Sequence, residues 1–258
     1  MDYQTLQGIY SSWQWLGIFE IGAIILTIIG MILERKAKKD TSFFITILIH
    51  RNIMNTLKLS GALLFLGGAI VLMGIITAET QYPTAYTTRN SEISDLGATR
   101  PPNSISYQPS AGIFETTMLV AGVLIVLAAF FQHKHFKKLI FSIPFILFGL
   151  GLAGVGIFPG NVSPYHGMSA MLAFLSGGVA AIMSFTIVSA PFKYIVIVLG
   201  SVALATWFAA SFATQVIVPV IGMGGAERWV AYPIMLWVTG LGGYLMNTTT
   251  SFHVPSTN

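Results

Sequence analysis

Seven stretches of the chain are nearly unbroken apolar runs, and the polar residues collect between them. A bilayer span takes about 20 mostly apolar residues at ~1.5 Å rise each. The qualifying runs are Trp15–Leu33, Leu59–Ala78, Ile113–Phe131, Leu139–Phe158, Met168–Val188, Tyr194–Phe212 and Trp229–Met246. Membrane β-strands would instead alternate apolar and polar over about ten residues. Continuous runs predict helices, which satisfy their backbone groups internally. The predicted fold is all-α, a polytopic transmembrane bundle of about seven spans.

Two units are expected. Residues 1–58 hold the first span, a basic loop and the stretch Ser42–Lys58, which reads as an interfacial helix or as an inner extension of the second span. Residues 59–258 form a six-helix core with one long loop at 79–112. That loop carries Pro83, Pro101, Pro102 and Pro109 among many Ser, Thr, Asn and Tyr. A loop of that length is usually functional or disordered. Shorter connections are expected at Pro159–Gly167 and Thr214–Arg228. The first span lacks a basic leader and a small-residue cleavage site, so it reads as a retained helix.

Composition agrees with this pattern. The 258 residues are 54% hydrophobic and 9% charged, against about 25% charged in soluble domains. So few charges could not cover a soluble surface. Disorder, a coiled coil, collagen and an ordinary cytosolic enzyme are excluded. There is no cysteine, hence no disulfide, thiolate nucleophile or cysteine-bound metal.

The net charge of +4 is best explained by loop asymmetry, not by nucleic acid. Ten Lys/Arg lie in one set of connections (Arg35, Lys36, Lys38, Lys39, Arg51, Lys58, Lys134, Lys137, Lys138, Lys193). Three lie in the other, namely Arg89, Arg100 and Arg228. The positive-inside rule places the lysine set in the cytoplasm. Seven spans then put the N-terminus outside and the C-terminus inside. The expected location is the cell membrane, multi-pass.

Candidate chemistry gathers on the opposite side. Ser91-Glu-Ile-Ser-Asp-Leu-Gly97 sets Glu92 and Asp95 one helical turn apart. Such a pair serves acid–base work or a hard cation, or else caps a turn in which Gly97 supplies a positive φ. His166 follows Phe158-Pro-Gly and is the one histidine on that side. Asp95 and His166 are therefore the catalytic candidates. Arg228 could clamp a phosphate or carboxylate, or pair with Asp95, Glu92 or Glu115. Glu227, at the start of the last span, Glu92 and Glu115 complete the candidate substrate contacts. Small residues in the spans, such as Gly149-Leu-Gly-Leu-Ala-Gly and Gly240-Leu-Gly-Gly, read as close helix packing. Pro144 and Pro233 are candidate helix breaks.

No span holds a central histidine pair for haem. No phosphate loop, nucleophile elbow or zinc-protease motif occurs. No cofactor or metal is expected.

Three stretches together carry a resemblance: Ser94-Asp-Leu-Gly97, Val155-Gly-Ile-Phe-Pro159 with His166, and Glu227-Arg228 with Tyr232 and Trp237. Their order and spacing resemble the multipass family catalogued as domain of unknown function 998, over about residues 59–246. The family implies the fold and no settled activity. The layout is more distantly similar to DRAM-type and GPI-remodelling membrane proteins, which would imply lipid-linked roles. The leading expectation is a non-catalytic accessory or lipid-binding component whose partners are membrane lipids and other membrane subunits. A lipid-modifying hydrolase acting at the outer leaflet is the alternative, and a transporter the second.

Overall fold

A computed structural model describes residues 56–83 and 85–247. The expected first span, the basic loop and most of Ser42–Lys58 lie outside the described residues.

Six helices form: α1 (Thr56–Thr80), α2 (Ser110–Phe136), α3 (Leu139–Ile157), α4 (Tyr165–Met183), α5 (Phe192–Phe212) and α6 (Thr214–Asn247). Short 3-10 turns occupy Ser94–Leu96 and Ser184–Thr186. All six helices are long and apolar enough to cross a membrane. They coincide with the second to seventh predicted spans.

Each helix packs on its neighbours in the chain, and α6 packs back on α1, so the bundle closes as a ring. Tight connections alternate the direction of the helices. Every described lysine (Lys58, Lys134, Lys137, Lys138, Lys193) therefore lies at one end, here called the lysine end. Residues 81–109 cover the other, the loop end.

The centre is aromatic. Trp237 of α6 is fully buried, with its ring 4.9 Å from Phe145 and 6.1 Å from Phe148 of α3. Its indole N–H donates to Ser184 Oγ at 2.9 Å, which satisfies the polar atom of a buried ring. The outer surface is also apolar: Met73, Val123, Ile140, Leu150, Val198 and Leu236 all face outward. A soluble protein does not expose a belt of that extent. In lipid the belt is solvated.

The small residues act in packing as expected. A Cβ on Gly61 would lie 2.7 Å from the carbonyl oxygen of Gly242, so α1 and α6 meet backbone to backbone.

The helix break differs from expectation. Pro144 and Pro233 sit inside continuous helix, and the one non-helical residue within α6 is Gly222, at φ 78° and ψ 167°. The predicted connection Thr214–Arg228 is itself helical on both sides of that break. Its Pro and Gly content reads as loop, but the apolar run Val216–Ile221 closes helical turns before the bend.

Candidate functional site

The long loop is an ordered cap. Ile93, Leu96 and Ala98 are buried beneath it. Tyr82 packs on Tyr86 and Tyr107, at 5.1 and 5.0 Å between ring centroids. Ser110 Oγ donates to the Leu96 carbonyl at 3.1 Å, and Ser106 Oγ donates to the Gly97 carbonyl at 2.8 Å.

Arg228 ties this cap to α6. The residue is 6% exposed. Its Nη1 donates to the carbonyls of Thr88, Ser91 and Gly224, and its Nη2 to Glu79 Oε1 at 2.6 Å and Tyr86 Oη at 2.7 Å. The ion-pair partner is thus Glu79 of α1, not Asp95, Glu92 or Glu115. The guanidinium also lies over the Tyr86 ring. Tyr86 Oη passes the network on to the Glu92 carbonyl at 2.8 Å. Burial pushes the Tyr86 phenol up, against the pull of Arg228.

Arg89 plugs the break in α6. Its guanidinium donates to the carbonyls of Pro219 and Val220, which the bend leaves without helical partners, at 2.8 and 2.9 Å. Its own carbonyl accepts from the Gly225 N–H at 3.2 Å. One residue therefore satisfies both sides of the interruption.

The Glu92–Asp95 stretch is a turn that caps itself. Asp95 Oδ2 accepts from the Glu92 N–H at 2.8 Å, while Glu92 pairs with Arg100 at 2.8 Å. Burial raises both carboxyls above the ordinary range, with Arg100 opposing at Glu92. Gly97 is at φ −82°, so no positive φ is needed. A Cβ there would lie 3.0 Å from the Phe114 ring, so its reason is room. Glu227 reaches up from α6 and accepts from the Ile93 and Ser94 N–H groups, which fixes the start of the 3-10 turn.

Beside the cap a cavity of about 700 Å³ opens between the loop and α4, α5 and α6. It exists because α5 is anchored only in its first half. Val196, Gly200 and Ala203 are its buried residues, and none follows Ala203. The rest of α5 turns Trp207, Ala210 and Ser211 toward the opening. Beneath lies an apolar slot of about 50 Å³ in the bundle interior. Ser94, His166, Ala170, Phe174 and Glu227 line both spaces.

His166 is 9% exposed, and its Nδ1–H donates to the Phe158 carbonyl at 2.7 Å. That bond sets the neutral tautomer with Nε2 as acceptor, and no described residue bonds Nε2. The cavity thus brings together His166, Glu227 and Glu92. Asp95 and Arg228 do not line it, and neither does Glu115, which sits half-buried on α2. Trp207 and Phe174 line it without having been singled out from sequence, since aromatics in an apolar helix carry no distinguishing signal. No group of three or more His, Asp or Glu among the described residues would hold a metal.

A family model described as protein of unknown function (DUF998) matches residues 65–244, from α1 to α6. The chain belongs to that family. No curated protein and no solved structure matches it. In this DUF998 member the matched span runs from within α1 to within α6 and takes in the cap, so the buried Arg228 network and the cavity beside it both fall within the family region.

Proposed function

We propose that this multi-pass protein of the cell membrane is a non-catalytic, lipid-binding component whose ligand sits between the cap and α4, α5 and α6. The observation that carries the reading is the pairing of two spaces. A polar-rimmed cavity adjoins an apolar slot and shares with it the wall of His166, Ala170, Phe174 and Glu227. An amphiphile needs that arrangement, with a head group at the rim and apolar chain against the helices. The orientation follows from the lysines, which hold their end in the cytoplasm and leave the cap outside.

The apolar wall offers a direct test. Ala170→Trp fills the space shared by the two cavities. Lipid co-purifying with the full chain through delipidation should fall from about one molecule per chain to almost none, with the thermal midpoint held near wild type. Unchanged retained lipid would overturn the reading.

One observation favours the hydrolytic alternative. His166 Nε2 and Glu227 share the cavity, as a base and a carboxylate would. That reading predicts head-group release from supplied lipid, abolished in His166→Gln. The transporter reading draws less support. A transport site lies at broken helices near mid-membrane, whereas the break at Gly222 lies against the cap and is plugged by Arg89.

A further inference from the structure

The ionisable side chains around the cavity are not all paired. Two ion pairs form among the described residues, Arg228 with Glu79 and Arg100 with Glu92. Arg89 is bound to backbone carbonyls. Asp95 lies outside the cavity and caps its own turn. Glu227 alone among the cavity carboxylates has no cation within ion-pair distance among the described residues. Its Oε2 accepts two backbone N–H groups, and no described residue bonds its Oε1. His166 lines the same cavity, and its Nε2 is an acceptor that no described residue bonds. The wall shared by the two spaces therefore presents a carboxyl without an ion-pair partner, an imidazole acceptor and the Ser94 hydroxyl. Trp207 and Phe174 line the same cavity, and the face of an aromatic ring attracts a cation.

We infer that the cavity selects an amphiphile with an ammonium head group, held by Glu227 and His166 Nε2 and enclosed by Trp207 and Phe174. This rests on the lipid-binding reading and adds the head-group chemistry to it. A carboxylate in a cavity that aromatic rings also line answers an ammonium, because the charge is paired while its apolar surroundings stay covered. A solitary anionic group would meet the Glu227 carboxyl, and the one cation in the lining, Arg100, is already paired with Glu92. The one cation among the lining residues, Arg100, sits at the rim with its side chain 67% exposed. That position suits the phosphate next to the ammonium in a zwitterionic lipid.

The test uses the purified full chain in nanodiscs of equal phosphatidylethanolamine and phosphatidylglycerol, with retained lipid counted by native mass spectrometry. A parallel set replaces phosphatidylethanolamine by phosphatidylcholine, separating primary from quaternary ammonium. Wild type should retain one or both ammonium lipids over phosphatidylglycerol by about tenfold. Glu227→Gln keeps an oxygen for the Ile93 and Ser94 N–H groups and should bring the ratio below about twofold. Trp207→Ala, on the loosely packed half of α5, should also lower it and decides the matter if Glu227→Gln fails to fold. Equal retention of all lipids by wild type, or a ratio unchanged in both variants, would overturn the ammonium assignment. Ala210→Trp separates that failure from a deeper one. If it removes lipid of every class, the binding site stands whatever the head group; if it leaves retention untouched, the lipid-binding reading falls as well.

Discussion

Arg228 reads from sequence as a clamp for a phosphate or carboxylate or as the partner of Asp95, Glu92 or Glu115, and the fold uses it as a strut paired with Glu79. Five acceptors from α1, the cap and α6 converge on one guanidinium. Only a planar fork with several donors meets them together. Arg228→Ala strands Glu79 and three carbonyls in a buried site. It should destabilise the protein by about 3–5 kcal/mol, read as a large drop in thermal midpoint in detergent, and Arg228→Lys should recover less than half of the drop. The carboxyls of the cap behave differently. Burial raises Glu92 and Asp95, so each binds its proton more tightly folded than unfolded. Their ionisation then opposes folding. Stability falls as pH rises through the raised folded values and returns as pH drops toward the unfolded ones. The thermal midpoint should be higher at about pH 4, near the ordinary carboxylate values, than at about pH 8, and Glu92→Gln should shrink the difference. A midpoint climbing with pH would contradict this. The roles of these residues were illegible in sequence because their partners are far away: Arg228 and Glu79 are 149 positions apart.

Among the helices, α6 departs most from its sequence pattern. Pro219, Gly222, Gly224 and Gly225 suggest a loop, yet helix runs up to the bend and resumes after it. The bend survives because the 87–91 turn lies against it. A Cβ on Gly222 would collide with the Arg89 carbonyl, and its backbone angles lie in a region that is essentially glycine-only. Gly222→Ala should cost about 1–3 kcal/mol from backbone strain alone and expose the 87–91 turn to proteolysis. Unaltered cleavage would show that the turn is held elsewhere. Gly242→Leu should separate α1 from α6 and lower the yield of folded protein in detergent, measured by size exclusion, because the two backbones leave no room for a side chain. The small-residue stripes did announce such contacts. They did not say which helices would meet.

Across the bundle, charge is distributed by end: described lysines at one, and Arg89, Arg100, Arg228 and the described acidic residues at the other. If the lysine end faces the cytoplasm, as the positive-inside rule proposes, a single cysteine in place of Asp95 should react with an impermeant maleimide from outside intact cells. A cysteine in place of Lys137 should react only after permeabilisation. Labelling of both from the same side would reverse the argument. Helix identity, the spans from α1 to α6 and the segregation of lysine were legible in one dimension, because each depends on local hydropathy and on a tally of loop charges. The ring closure of α1 on α6, the cap, the bend at Gly222 and the cavity were not. Each depends on groups 130 or more positions apart meeting in space, and a polar residue in a membrane protein takes its role from whichever partner the packing brings to it.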